Sequence, residues 1–271
     1  MAEAVGLSAR NEAIKQLRRL LRDRGARWDA SRFVIEGPTL VADALASHVQ
    51  VCEVFVDSDH ALRAEAANVL TRAESLGVKV RPVAPGVLQR VGSTSSPQPL
   101  MAVAQMLHLT IEEGIEALGT EPGPVLVLGG VSDPGNAGTL VRSAAAGGGR
   151  MVLFADGSVD PYNPKVVRAS AGALFRTALV VASLRSAIDQ LVAAGFEVFA
   201  ASATRGTPHH AHDLAGRVAI VLGNEARGLP ETARNLPLIT VPIDAEVDSL
   251  NVAMAGTVIC FEAKRQRETT R

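Results

Sequence analysis

Aromatic residues are scarce in this 271-residue chain: one Trp, one Tyr and seven Phe make up 3% of it. A protein that reads single strands chiefly by stacking bases on aromatic platforms is therefore disfavoured. Any nucleic-acid recognition has to rest on shape and phosphate contacts. Cysteine is equally sparse. Cys52 and Cys260 fall inside apolar strand and helix patterns, far from any CxxC or His cluster, so buried thiols are expected in place of metal ligands. No apolar stretch approaches the roughly 20 residues of a membrane helix. No signal-peptide core is read at the N-terminus, and a soluble, cytoplasmic protein is expected. The three histidines of PHHAHD at 208–213 lack ligand spacing, and no metal is expected. A formal net charge of −1 rules out a surface that is an electrostatic trap throughout.

What the chain does have is 47% hydrophobic residues, mostly small or aliphatic, and 24 Gly. That composition suits helices packed closely on a parallel sheet, and the length favours two domains. Charge is unevenly placed. Residues 1–32 carry eight basic residues against four acidic ones, which points to a local polyanion contact. An amphipathic helix is read over 8–24, capped by Ser8, with Ile14, Leu17 and Leu21 on one face. Lys15, Arg18 and Arg22, with Arg27 in the loop after them, are the candidate RNA contacts. Strands RFVIE, VCEVFVD, VKVRPV and LMAVAQML alternate with helices and make an α/β domain over 1–107. Within it, GSTSSPQP at 92–99 reads as a connector or a binding loop. Residues 108–122 read as a linker. From 123 to 271 the alternation restarts with strands that are apolar throughout, hence buried on both faces of a parallel sheet.

Ligands bind such sheets where loops leave the carboxyl ends of the strands. Three loops there are polar: GGVSDPGNAG, GNEARG and DAEVDSLN. The first lacks the Lys of a nucleotide-binding P-loop and the GxGxxG of a dinucleotide site. No GxSxG elbow marks a hydrolase. The run from 241 to 267 reads as the floor of a ligand site, with Ser249 as the N-cap of the last helix. Leu250, Val252, Met254, Val258, Ile259 and Phe261 form that helix's apolar set, and Asp244 and Asp248 face solvent. Tyr162, in DPYNPK, reads equally as a site-lining residue or a turn residue.

In their order and spacing, DPGNAGTLVRSAAAGG, VLGNEARGLP and VPIDAEVDSLNVAMA resemble the three signature motifs of the SpoU-type RNA ribose 2′-O-methyltransferases of the SPOUT superfamily. The resemblance extends over nearly the whole chain. The first hundred residues look like the substrate-binding domain, similar in fold to a ribosomal protein, that often precedes this catalytic domain. It implies a C-terminal parallel-sheet domain closed by a trefoil knot, a homodimer, and S-adenosylmethionine as methyl donor. It also implies RNA as substrate, ribosomal RNA of the large subunit before transfer RNA. Carried over residue by residue, Gly223, Ile243, Leu250 and Ser249 would meet the cofactor. Arg142 matches the family's catalytic arginine, and Asn136, Glu225 and Asn251 its polar positions.

A ribose hydroxyl must lose or share its proton to attack a methyl group, and an arginine is too basic to take it as a general base. Arg142 is therefore expected to hold the adjacent phosphate and stabilise the forming alkoxide. Glu225 is expected to orient Arg142 or Asn136, with a structural Arg142–Glu225 ion pair as the plainer alternative. Asn136 and Asn251 read equally as residues that satisfy backbone groups where helices start. A non-catalytic RNA-binding factor with the same fold stays open as the second function.

Overall fold

The computed structural model describes residues 6–269 apart from 62–63, 94–97, 245 and 247. The chain forms two compact units, and the first takes in residues up to Leu107 together with Tyr162–Phe175. With elements numbered in chain order, it contains α1 (Glu12–Arg22), α2 (Arg24–Ala30), β1 (Arg32–Glu36), α3 (Pro38–Leu45) and β2 (Val51–Asp57). There follow α4 (Ala64–Ser75), β3 (Lys79–Val83), α5 (Val87–Val91), β4 (Leu100–Gln105) and, from later in the chain, α8 (Pro164–Ala169). The strands pair in the order β1-β4-β2-β3, with β2 and β3 parallel and the other pairs antiparallel.

The basic N-terminal segment differs from its expectation in two ways. It is two helices, because Asp23 leaves α1 in extended geometry and caps α2 by accepting from the Ala26 N–H. Asn11, not Ser8, caps α1. Ile14, Leu17, Leu20 and Leu21 are buried as one face. Arg27 is a correction. It is only 3% exposed and donates from Nη1 to the Leu20 carbonyl at 2.8 Å, so it seals the α1–α2 corner and is withheld from a ligand. Lys15 and Arg22 are exposed, and Arg18 is half-buried. Of the loop at 92–99, residues 94–97 lie outside the described residues.

Tyr162 stands in a turn, the second of its two readings, and is fully buried there. Its ring lies 4.9 Å from Phe33 and edge-on to Trp28 at 6.2 Å, and its hydroxyl oxygen accepts from the Leu107 N–H at 2.8 Å. A segment from the second half of the sequence thus completes the first unit's core, which a boundary drawn at residue 107 could not anticipate.

The second unit has β5 (Gly123–Leu128), β6 (Met151–Ala155), β7 (Ala178–Ala182), β8 (Glu197–Ala201), β9 (Thr207–Pro208), β10 (Arg217–Leu222) and β11 (Leu238–Thr240). Every pairing is parallel, in the order β7-β6-β5-β10-β8-β11-β9. Its helices are α6 (Ile111–Leu118), α7 (Pro134–Ala146), α9 (Leu184–Ala193) and α10 (Val252–Thr269). The expected linker 108–122 carries α6, started by a capping box between Thr110 and Glu113. Ile111 and Leu118 belong to the unit's core.

Of the apolar set expected in the last helix, α10, only Ile259 is fully buried. The helix's buried side is Ala253, Gly256, Ile259, Cys260 and Ala263, while Leu250, just before it, and Met254, Val258 and Phe261 are 36–50% exposed. Small residues face inward because the helices run close. A Cβ on Gly256 would strike the Leu140 side chain, and one on Gly147 would come within 2.9 Å of the Cys260 Cβ. Burial there pushes the Cys260 thiol up to about 12. One thiol, that of the half-buried Cys52, is expected to react with Ellman's reagent in the native protein and two after denaturation. Two fast-reacting thiols in the native state would contradict this packing.

Candidate active site

At the carboxyl edge of the parallel sheet the chain switches sides: β5 runs on to β6 and β7 in one direction, while β10 and β8 lie in the other. Ligand crevices form at such points. On the β10 side of that point a cavity of about 270 Å³ opens, bounded by the ends of β8, β10 and β11, by Val241, Ile243 and Ser249 to Asn251, and by the first turns of α10. All four expected cofactor residues, Gly223, Ile243, Ser249 and Leu250, line it, as do Glu225 and Asn251. Leu222, Leu229, Ile239 and Ile259 supply apolar wall.

Two glycines shape the β10 loop. Asn224 and Gly228 exchange backbone hydrogen bonds at 2.9 Å, closing a tight turn. Gly228 sits at φ +71°, which favours Gly. A Cβ on Gly223 would stand 2.5 Å from the Gly228 carbonyl oxygen, so only glycine lets the turn fold back over the strand end.

Beside the cavity the polar residues form one directed chain. The Glu225 carboxylate accepts from the Asn136 Nδ2 at 3.0 Å, the Ser132 hydroxyl at 3.1 Å and the Ser132 and Asp133 backbone N–H groups at 3.3 and 3.4 Å. Asn136 Oδ1 accepts in turn from Asn251 Nδ2 at 3.1 Å. Asn251 Oδ1 accepts from the Ala253 and Met254 N–H groups, which makes Asn251, and not Ser249, the residue that satisfies the start of α10. Because a carboxylate can only accept, it fixes which way both amides point. Each amide nitrogen keeps a second hydrogen for a ligand. Asn136 does not cap α7; Asp133 does, accepting from the Asn136 N–H at 2.8 Å.

Partial burial would raise the Glu225 pKa, but the hydrogen bonds from Asn136, Ser132 and Asp133 outweigh it and hold the carboxyl below its usual range. With a depressed folded-state pKa, its contribution is present above the ordinary carboxylate range and is lost as pH falls through the folded value. The stability gap between wild type and Glu225→Gln is therefore expected at pH 7 and should vanish under acid. Urea unfolding at a series of pH values checks this, and a gap that persists below the carboxylate range would contradict it.

Arg142 is exposed on α7 and does not line the cavity. Glu225 orients Asn136, one of its two expected partners, and the alternative Arg142–Glu225 ion pair is absent among the described residues. Two contributors escape a reading of residue types. Ser132 binds Glu225 through both hydroxyl and backbone, and Asn224 bridges the loops by donating to the Gly130 carbonyl at 2.9 Å. Asn224 could have been flagged, since an Asn leading a four-residue turn accepts its backbone N–H groups, as it does from Ala226 and Arg227. Asp244 and Asp248 face solvent as expected.

A parallel α/β unit with a small-molecule cavity beside its switch point and fixed amide donors at the rim suits an enzyme of the group-transfer class. The chain belongs to the SpoU rRNA Methylase family, whose model matches residues 123–261, and residues 11–102 match the MRM3-like substrate binding domain. It is 30% identical over 262 residues to the 23S rRNA (guanosine(2553)-2′-O)-methyltransferase RlmP of Bacillus subtilis, covering 95% of this chain and 98% of that one. Among solved structures it resembles the SpoU methyltransferase AviRb of Streptomyces viridochromogenes in complex with AdoMet, at TM-score 0.86 and 27% identity, over 97% of this chain and all of that one. An AdoMet-bound rRNA methyltransferase from Sinorhizobium meliloti matches at TM-score 0.83 and 27% identity, over 96% of both chains.

Proposed function

We propose that this chain transfers the methyl group of S-adenosylmethionine to a ribose 2′-hydroxyl of RNA, with large-subunit ribosomal RNA as the substrate. The observation that carries the reading is the convergence of Gly223, Ile243, Ser249 and Leu250 on one cavity. Glu225, Asn136 and Asn251 are linked at its rim in a chain of this family. The relatives described above are a 23S rRNA 2′-O-methyltransferase and two AdoMet-bound methyltransferases. The residues suit the cofactor. Apolar Leu222, Leu229, Ile239 and Ile259 match a purine, and the polar rim matches a ribose and an amino-acid end. Bound there, S-adenosylmethionine supplies a methyl group made electrophilic by its sulfonium.

The chain's own residues do the rest by positioning and electrostatics. Asn136 and Asn251, held by Glu225, offer N–H donors to the ribose oxygen as it gains negative charge. Glu225 accepts four hydrogen bonds and is acidic, so it serves as a positioning residue and not as the base. Arg142 holds the phosphate next to the target ribose, where that phosphate or water takes the hydroxyl proton. Lys15, Arg18 and Arg22 bind the RNA backbone, and the protein works in the cytoplasm, where ribosomal RNA is modified.

In this reading the 241–251 segment passes through a neighbouring loop and closes a trefoil knot. In support, α10 follows a strand near one sheet edge yet packs on α7 and the central β5 and β10. The protein is a homodimer that buries the stripe of Leu250, Met254, Val258 and Phe261. Light scattering is expected to give about twice the chain mass of 28.3 kDa. Met254→Glu combined with Phe261→Glu should return the mass to that of one chain, and wild-type protein that is monomeric at micromolar concentration would count against the dimer.

The test of function is label transfer from methyl-labelled S-adenosylmethionine to unmodified large-subunit ribosomal RNA, with transfer RNA alongside. Label on ribosomal RNA that protects the adjacent bond from alkaline hydrolysis supports the proposal. Label on transfer RNA alone would move the substrate, and RNA binding without label would favour the non-catalytic factor.

A further inference from the structure

Among the described residues and apart from the active site, a polar cluster in the first unit is built round a buried carboxylate. Glu36 closes β1 with a side chain only 1% exposed. Its Oε1 accepts from the Arg168 Nη1 at 2.7 Å and from the Ser93 hydroxyl, and its Oε2 accepts from the Ser93 N–H at 3.2 Å. Arg168 Nη1 also donates to the Ser93 Oγ at 2.6 Å. Both hydrogens of Nη1 are thus spent inward. Nε and Nη2 have no hydrogen-bond partner among the described residues, are not enclosed, and belong to a side chain 28% exposed.

That division of labour is informative. A guanidinium needs only one edge to satisfy a buried carboxylate, and Glu36 already draws two further hydrogen bonds from Ser93. Glu36 is satisfied while Arg168 is half used. The unused Nε–Nη2 edge is the planar pair of donors that matches two phosphate oxygens. Anchoring by Nη1 removes much of the rotamer entropy that a free surface arginine loses on binding. The helix that carries Arg168, α8, contains no acidic residue that would compete for that edge. Ser93 stands at the head of the Ser/Thr/Pro loop that the sequence marks as a possible binding loop.

We propose that Arg168, positioned by Glu36 and Ser93, is a phosphate-binding residue of the substrate-binding unit and contacts the RNA backbone through its Nε–Nη2 edge. This rests on the reading of the protein as an RNA methyltransferase. It extends the RNA-binding surface to a segment that enters the first unit from the second half of the sequence.

The experiment avoids leaving a buried charge unpaired. Glu36→Gln keeps the guanidinium, and adding Arg168→Gln to it removes one positive charge while two amides can still bond. Affinity for a large-subunit ribosomal RNA fragment is measured across salt concentrations for wild type and both variants. S-adenosylmethionine binding and melting temperature serve as controls. Between the single and double variants, RNA affinity is expected to fall about tenfold, as for one lost charge-assisted pair. The log–log salt slope should shrink by about one, with cofactor affinity unchanged. Arg168→Lys alone keeps the charge and loses the fork, so KM for RNA should rise while kcat stays. Equal affinity and slope in the two variants, with only the melting temperature changed, would make the cluster a structural ion pair and overturn the proposal. Wild-type protein that neither binds nor methylates RNA would instead sink the reading beneath it.

Discussion

Arg142→Ala is expected to lower methyl transfer by about 10²–10³-fold, the usual cost of removing one preorganised electrostatic contact from a transition state. Arg142 projects from the exposed side of α7, between the buried Leu140, Val141 and Ser143. It makes no ion pair or hydrogen bond among the described residues, so no packing depends on it. Melting temperature and S-adenosylmethionine affinity should both stay near wild type, since the cavity lies elsewhere. Arg142→Lys keeps the charge but not the planar fork, and an intermediate loss is expected. Single-turnover methyl transfer measures all three proteins. Wild-type rates in Arg142→Ala would remove the arginine from the mechanism.

The second large effect concerns Gly223→Ala. The added methyl group would lie 2.5 Å from the Gly228 carbonyl oxygen and 2.7 Å from its carbon. Those are backbone atoms, which cannot rotate away as a side chain could. The turn from Asn224 to Gly228 would have to move, taking with it the cavity wall and the Glu225 carboxylate. Overpacking of this kind costs about 1–3 kcal/mol, so S-adenosylmethionine affinity should fall about 10–100-fold. Methyl transfer should fall further, because Glu225 would no longer hold Asn136. Gly228→Ala is the control. Its Cβ meets nothing within 4 Å, and only the φ of +71° is unfavourable, so its effect should be smaller. Calorimetric titration of both variants decides, and an unaltered affinity in Gly223→Ala would show that the turn is more pliant than its hydrogen bonds suggest.

Much of the site is legible in the residues because its pieces are local. DPGN carries its own N-cap and first-turn proline at Asp133 and Pro134, so the start of α7 follows from four residues. GNEARG carries the Asn and Gly that its turn requires. Where the reading needed a partner from elsewhere in the chain, it divided. Glu225 could have been assigned to Arg142 or Asn136 with equal reason, and only the approach of the β5 and β10 loops selects Asn136. Arg27 looks like its basic neighbours in sequence, yet the bend at Asp23 turns it inward onto Leu20.

The sequence by itself determined most of the elements, though not α2 or α6, along with the parallel character of the second sheet, the family and the residue types of the site. Periodicity, capping and turn chemistry act over a few residues and are written in the order of the chain. Only the tertiary structure decided which face of α10 is buried, because that depends on how closely α7 approaches and not on which residues are most apolar. It also decided that Tyr162 and Arg168 complete the first unit. Both are outcomes of burial and pairing between distant segments, and hydrophobic contact, which has no direction along the chain, leaves no local mark from which they could be read.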